Sequence, residues 1–251
     1  MKTVLVLSSH LDDAAFSVGP LLAELKAKAR IVVATVFTKS ITNPGPFAMA
    51  CQIDKGLTAS VDYMLIRRKE DTEWSEKLGV EIVHGPFAEA PHRGYEAAVK
   101  LFGRILQTDE IGINLKLWLD NLTGSLRPEV ILVPLSIGNH VDHQWVRKMA
   151  ETSVSNLLTL AYYQDQPYTA KTNIALPSSG QGKVDPCHLF HVPLSESSLV
   201  QALAAAEAYS TQIPFQFGDI TSMSRVLRLA WGENLPLFHT MGFPDYLNFL
   251  T

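Results

Sequence analysis

The sequence contains little cysteine, little charge and no long apolar run near its start. Of the 251 residues, only two are cysteines and 18% are charged. Two cysteines do not make a disulfide framework, so we expect the reduced thiols of a cytoplasmic protein. The first apolar run covers only residues 4–7, which is too short for a secretion signal or a membrane span. The sequence therefore predicts a cytoplasmic protein without a membrane span.

The net charge is −4, whereas proteins that bind nucleic acids or anionic membranes carry an excess of basic residues. The sequence therefore argues against both kinds of partner. With 47% hydrophobic residues, the chain can bury a core and is not typical of disorder. No linker divides the chain, so we expect residues 1–251 to form a single domain. Its partner is expected to be a small molecule, and a homo-oligomer remains open.

Three common enzyme motifs are also absent. The first predicted strand is not followed by Gly-x-Gly-x-x-Gly, and no P-loop or Gly-x-Ser-x-Gly elbow occurs. These absences weigh against a dinucleotide-binding oxidoreductase, an NTPase and a serine hydrolase.

Short β-rich runs alternate with segments of helical spacing. Runs of Val, Ile and Leu predict strands at 3–7, 30–37, 80–83, 130–135, 159–163 and 188–192. Apolar residues at helical spacing predict helices near 13–29, 95–106, 146–157, 199–209 and 223–230. The alternation predicts an α/β fold, a doubly wound and mostly parallel sheet with helices on both faces. Residues 165–186 lack periodicity and are predicted to be either an active-site loop or a disordered segment.

His10, Asp12 and Asp13 follow the first predicted strand and open the first predicted helix. Adjacent carboxylates repel each other unless a cation or a proton lies between them. Imidazole and carboxylate are ordinary Zn²⁺ ligands, so Asp13 can bind a metal while Asp12 faces the substrate as a base. The alternative is a simple helix cap, which accounts for one aspartate but not for the imidazole or the second carboxylate.

A second cluster, His140, Asp142 and His143, follows the predicted strand at 130–135. Ligands of open α/β sheets bind at the carboxyl ends of the strands, so both clusters are expected at the same edge. The two histidines are three residues apart and face roughly the same way in a first helical turn. One can bind the metal while the other reaches the substrate, and Asp142 can orient an imidazole. Two surface histidines are the alternative, but the coincidence of two clusters favours a metal centre with three protein ligands and water.

The two clusters together resemble those of the deacetylase family that contains N-acetylglucosaminyl-phosphatidylinositol deacetylase (PIG-L) and the LmbE-like bacterial proteins. Residues 10–14 read His-Leu-Asp-Asp-Ala where the family reads His-Pro-Asp-Asp-Glu, and residues 140–143 match its His-x-Asp-His. Residues 67–70 match a family Arg-x-x-Glu, and residues 209–212 resemble a late Tyr-Ser-x-Gln pattern. The resemblance covers most of the chain and implies a Rossmann-like fold.

The resemblance also implies roles for individual residues. His10, Asp13 and His143 are expected to bind zinc, Asp12 to be the general base, and a protonated His140 to stabilise the oxyanion. The two departures, at positions 11 and 14, leave the ligands and the base in place but leave the substrate subgroup open. A set of two imidazoles and one carboxylate also suits Fe²⁺.

The expected reaction is hydrolysis of an N-acyl group, most simply acetyl, from an amino sugar or its glycoside. A zinc-bound water would attack the amide, with Asp12 as general base. Arg67 and Arg93 are candidate substrate contacts, although Arg67 can instead pair with Glu70 or Asp71 at helical spacing. Two alternatives stay open. One is a metal-dependent amidase for a thiol conjugate or acylated natural product, and the other is a non-catalytic sugar-binding protein with a degenerate site.

Overall fold

The structure is a computed structural model that describes residues 1–153, 159–171 and 188–239. Its centre is one seven-stranded sheet with the spatial order β3-β2-β1-β4-β5-β7-β6. The strands are β1 Lys2–Ser8, β2 Ala29–Thr35, β3 Glu81–His84, β4 Val130–Pro134, β5 Thr159–Tyr163, β6 His188–Pro193 and β7 Asn234–His239.

The first five strands pair in parallel in the order β3-β2-β1-β4-β5. β7 runs antiparallel to both β5 and β6, and β6 forms the far edge of the sheet. The chain leaves β1 toward β2 on one side and reaches β4 on the other, so the strand order reverses between β1 and β4. This reversal opens a crevice at the carboxyl ends of the two strands.

Ten helices of the described ranges surround the sheet. They are α1 Asp13–Leu25, α2 Pro46–Ile53, α3 Tyr63–Leu78, α4 Ala98–Leu101, α5 Ile111–Leu126, α6 Val141–Ser153, α7 Tyr168–Lys171, α8 Glu196–Ala206, α9 Ile213–Phe217 and α10 Ile220–Trp231. Across the described residues, no helix is both long enough and apolar enough to cross a bilayer.

The core has two layers, because alternate residues of the central strands point to opposite faces of the sheet. Val4 and Val6 of β1 pack with residues of α1, α3, α8 and α10. Leu5 and Leu7, also of β1, pack with residues of α5 and α6 on the other face. The predicted fold class, a doubly wound and mostly parallel sheet with helices on both faces, is confirmed.

One predicted helix needs correction, and two elements were not predicted. The helix expected at 95–106 is reduced to the single turn α4, and Tyr95 is instead fully buried with its hydroxyl donating to Asp109. The long helix α5 was not predicted, and neither was β7, which contains Pro236. Of the aperiodic segment 165–186, residues 165–171 are described and the remainder lies outside the described residues.

Candidate metal-dependent active site

The turn that links β1 to α1 is fixed by hydrogen bonds among its own residues. Ser8 Oγ donates to the carbonyl of His10 and accepts the backbone N–H of Ala14. Asp13 Oδ2 accepts the backbone N–H of His10 at 2.7 Å. The turn is therefore rigid, and it holds the imidazole of His10 beside the carboxylate of Asp13.

The β4–α6 turn owes its shape to residues with left-handed backbone conformations. Ser136, Gly138 and Asn139 have φ of 63°, 87° and 59°. The Cα of Gly138 also packs so closely on Tyr168 that an added Cβ would lie 3.1 Å from its ring. Glycine and asparagine both tolerate this left-handed conformation, which explains the tight turn at Gly138 and Asn139. This turn places His140 and the first helical turn of α6 in the crevice next to β1.

Three ligand atoms from the two turns meet in a nearly equilateral triangle, which we call the three-atom cluster. His143 Nε2 lies 3.2 Å from Asp13 Oδ2, and His10 Nδ1 lies 3.3 Å from the same oxygen. The two imidazole nitrogens lie 3.3 Å apart. Ligands at about 2.0–2.1 Å from a tetrahedral ion are separated by about 3.3 Å, so these atoms fit a metal such as Zn²⁺ without rearrangement.

His140 offers an alternative third ligand. The ring nitrogens of His10, His140 and His143 lie within 4.8 Å of one another, which is also compatible with a metal ion. The atoms of that set lie up to 4.8 Å apart, farther than the 3.2–3.3 Å of the triangle with Asp13. Both sets share His10 and His143, so the structure brings together all the residues for which metal binding was predicted.

Each imidazole of the three-atom cluster has a carboxylate behind it. His10 Nε2 lies 3.0 Å from Asp142 Oδ2, and His143 Nδ1 lies 2.5 Å from Asp165 Oδ1. Such carboxylates orient metal-binding histidines and raise their basicity. Asp142 was predicted for this role. Asp165 was not, although it lies just beyond β5 at the same edge of the sheet.

The cluster favours positive charge. Burial acts to lower the pKa of His143, but Asp13 and Asp165 raise it to about 9. The pKa of His10 is likewise raised well above its usual value, because Asp13 and Asp142 outweigh burial. Burial acts to raise the pKa of Asp13, yet His143 and His10 hold it well below its usual range. A divalent cation would supply the positive charge that this arrangement favours.

Asp12 is not part of the three-atom cluster and has a separate set of partners, the Asp12 network. Arg67 Nη2 donates to Asp12 Oδ1 at 3.0 Å, and Gln216 Nε2 donates to Asp12 Oδ2 at 2.5 Å. Arg67 is in turn held by Glu89, 2.5 Å from its Nη1. Burial raises the pKa of Asp12 to about 6, with Arg67 opposing the rise.

Glu70 and Asp71 of α3 explain how Gln216 reaches Asp12. Glu70 accepts hydrogen bonds from the hydroxyl of Ser210 and from the backbone and hydroxyl of Thr211. Asp71 accepts from the hydroxyl of Tyr209. These contacts attach the segment before α9 to α3. They also remove Glu70 and Asp71 as partners of Arg67, which pairs with Asp12 and Glu89 instead.

His140 differs from its expected state. Its Nδ1 accepts the backbone N–H of Asp142 at 3.2 Å, so a neutral ring carries its proton on Nε2. Burial, with a contribution from the neighbouring His10, lowers the pKa of His140 to about 3. This environment favours a neutral His140 in place of the protonated ring that was expected, and His140 lies in the site as predicted.

Arg93 lies behind Asp142 rather than in the cavity. Its guanidinium donates to Asp142 Oδ1 at 2.7 Å, to both oxygens of Asp109 and to the carbonyl of Ala88. The backbone N–H of Ala90 adds a further bond to Asp142 Oδ2. These contacts, with burial opposing, hold the pKa of Asp142 below its usual range. They suit the positioning of Asp142 better than the predicted contact with substrate.

A cavity of about 390 Å³ opens over the site. Its wall includes His10, Asp12, Asp13, Arg67 and His140. The rest of the wall is largely aromatic or aliphatic, from Phe47, Tyr63, Leu101, Phe102, Pro167, Tyr168 and Phe215. A concave pocket that combines convergent polar groups with aromatic and aliphatic walls is typical of a small-molecule site.

Comparison with known proteins decides the family. Residues 5–154, more than half of the chain, match the model of the PIG-L family, GlcNAc-PI de-N-acetylase. The chain belongs to the PIG-L family. A curated relative from Streptomyces fradiae, 2'-N-acetylparomamine deacetylase, is 29% identical over 173 residues. The match covers 68% of this chain and 58% of that relative, so this chain spans less than two thirds of the relative's length.

Solved structures agree with this PIG-L assignment in fold. The A40926 pseudoaglycone deacetylase Dbv21 is 24% identical with a TM-score of 0.80, covering 96% of this chain and 98% of that one. The zinc-inhibited form of teicoplanin deacetylase Orf2 is 22% identical with a TM-score of 0.82, covering 97% and 100%. A deacetylase–bog complex from teicoplanin biosynthesis is 23% identical with a TM-score of 0.83, with the same coverage.

Proposed function

We propose that this PIG-L family member is a metal-dependent hydrolase that removes an N-acyl group, most simply acetyl, from an amino sugar or its glycoside. The observation that carries the proposal is the three-atom cluster, of which His10 and Asp13 line one cavity together with Asp12. A site of this kind pairs a metal position with a carboxylate that is not one of the proposed ligands, which suits metal-assisted hydrolysis.

His10, Asp13 and His143 would hold the metal through the atoms of the three-atom cluster. When bound, Zn²⁺ or Fe²⁺ lowers the pKa of water and polarises the carbonyl of the scissile amide. The donor set of two imidazoles and one carboxylate suits either ion. Because one solved relative is a zinc-inhibited form, the proposed zinc must be tested against other divalent ions.

Asp12 accepts the proton of the attacking water and afterwards delivers it to the leaving amine. Arg67 and Gln216 hold its two carboxylate oxygens, which fixes the direction in which the carboxylate acts. His140 lines the same cavity and donates from Nε2 to the carbonyl oxygen as negative charge develops there. Arg67 also lines the cavity and completes the substrate-facing wall, whereas Arg93 positions Asp142.

The substrate class follows from the cavity and the relatives together. The cavity combines the carboxylates of Asp12 and Glu89 with the aromatic rings of Tyr63 and Phe215. Sugar rings bind between such polar and aromatic groups. The relatives are described as deacetylases of acetylparomamine and of the teicoplanin pathway. An N-acylated sugar joined to a larger scaffold is the substrate that we propose.

The deciding experiment combines metal content with amine release. The protein is purified, its metal is quantified, and release of free amine from N-acetylglucosamine and its glycosides is measured before and after chelation. Restoration is compared with Zn²⁺, Fe²⁺, Co²⁺ and Mn²⁺. We expect about one metal per chain and chelator-sensitive release.

The alternatives give different results in the same experiment. Metal without amine release from any sugar, but with release from acylated non-sugar amines, would indicate an amidase of another substrate class. Sugar binding without any turnover would indicate a binding protein. A protein that takes up no divalent metal would contradict the proposed metal centre.

A further inference from the structure

A second cavity of about 260 Å³ lies beside the catalytic cavity, and we call it the side cavity. The two cavities share part of their wall, formed by Cys51, Lys55, Tyr63, Glu89 and Pro91. None of the proposed metal ligands lines the side cavity. The side cavity is therefore adjacent to the place that the acylated sugar of a substrate would occupy.

Lys55 is the cation of this shared wall. Its Nζ lies 4.5 Å from the ring centre of Phe215 and 5.6 Å from that of Tyr63. One of its protons is donated to the carbonyl of Cys51 at 3.0 Å. Within residues 1–153, 159–171 and 188–239, no carboxylate lies within 4.0 Å of this ammonium group. The group is thus held in place, with donors left over.

The acidic residues of the side cavity already have other partners. Glu89 pairs with Arg67, and Asp62 accepts from the backbone of Leu65 and the hydroxyl of Ser40. Asp54 lines the catalytic cavity but not the side cavity. An anion that enters the side cavity would meet an ammonium group that forms no ion pair with a carboxylate of the described residues, although the charge of Glu89 still acts on it from farther away.

The cost of holding Lys55 in this position supports a role for it. Burial lowers the pKa of Lys55, because the ammonium group has lost part of its hydration. Contact with two aromatic rings offsets part of this loss, and the bond to the carbonyl of Cys51 uses only one of the three ammonium protons. A bound anion would offset the rest.

We propose that the side cavity binds a negatively charged group, such as a carboxylate, on the part of the substrate attached to the acylated sugar, and that Lys55 is its partner. This inference rests on the proposed deacetylation and adds a charge preference to it. Lys55 thereby favours acidic glycosides over neutral ones without taking part in the chemical step.

The test uses two glycosides of N-acetylglucosamine that differ only in charge, with para-carboxyphenyl and para-carbamoylphenyl aglycones. Amine release is measured for the metal-loaded protein and for Lys55→Gln. We expect the wild type to prefer the carboxylate substrate in kcat/KM by roughly tenfold or more, as for a charge-assisted hydrogen bond. The preference should shrink at high salt and disappear in Lys55→Gln.

A matched control is Lys69→Gln, which removes an exposed lysine of α3 that lines neither cavity and should keep the preference. Binding of the two deacetylated glycosides is measured in parallel by calorimetry. If neither acetylated glycoside is hydrolysed, the proposed function fails, and the calorimetric difference still tests Lys55. Equal affinities and equal kcat/KM in the wild type, or a preference that survives in Lys55→Gln, would overturn the proposal.

Discussion

The three-atom cluster and the Asp12 network lie side by side but are supported in opposite ways. The carboxylates of Asp142 and Asp165 contact the imidazoles of the cluster. The guanidinium of Arg67 and the amide of Gln216 contact the carboxylate of Asp12. One region therefore favours added positive charge, whereas the other holds a negative charge in a fixed direction.

This difference explains how the adjacent carboxylates of Asp12 and Asp13 are accommodated although their charges repel each other. Asp13 contacts two imidazoles, and its pKa is held well below the usual range. Asp12 contacts Arg67 instead, and burial raises its pKa to about 6. Neighbours in sequence thus have different environments, which agrees with one carboxylate binding a metal and the other moving a proton.

The largest expected effect comes from breaking the three-atom cluster itself. His143→Ala removes one of its nitrogens and leaves Asp165 without its imidazole. We expect both bound metal and amine release to be lost, by more than the roughly 10²-fold that loss of a supporting partner costs. Metal analysis and initial rates measure the two effects, and circular dichroism checks the fold. His191→Ala, a change at an exposed histidine of β6, is the control.

A smaller and more selective effect is expected from the Asp12 network. Asp12→Asn keeps the shape of the side chain but cannot accept the proton, so kcat should fall by roughly 10²–10⁴-fold. Metal content should stay at the wild-type level, because Asp12 is not part of the three-atom cluster. If Asp12→Asn and His143→Ala lose metal equally, the division between the two regions is wrong.

The sequence predicted the sheet better than the helices. The buried strands of the parallel part are continuous apolar runs bounded by polar residues, and they appear with small shifts. In α5, by contrast, Ile111, Ile113, Leu115, Leu117 and Leu119 alternate as in a strand. Only the structure shows that Leu115 and Leu119 face the core while Ile113 is 64% and Leu117 54% exposed. Local periodicity cannot distinguish these cases when the exposed face is also apolar.

The strand β7 was missed for a different reason. Pro236 lacks a backbone N–H, which argues against a strand inside a sheet. β7 tolerates it because pairing with β5 begins only at Leu237, so Pro236 is paired on the β6 side alone. A sequence rule based on the single residue could not anticipate this offset.

Some residues of the site could be predicted from the sequence, and others could not. His10, Asp12, Asp13, His140 and His143 were predictable, because each follows a strand that ends at the crevice. Asp165 follows β5 at this edge and could have been found by the same rule. Gln216 had no such signal. Its contact with Asp12 depends on the packing of residues 209–212 on α3, across more than a hundred residues of sequence.

The smallest effect is expected for Asp165, which contacts a histidine of the three-atom cluster but is not itself a proposed metal ligand. Asp165→Asn keeps a hydrogen-bond acceptor near His143 Nδ1 but removes the negative charge. Metal affinity should weaken by roughly 10–100-fold, while activity recovers when the metal concentration is raised. Competition with a chelator of known affinity measures the first effect, and metal titration of initial rates measures the second. A variant with unchanged metal affinity and a rate that no added metal restores would assign Asp165 to the chemical step instead. It would then belong with Asp12 rather than with the three-atom cluster.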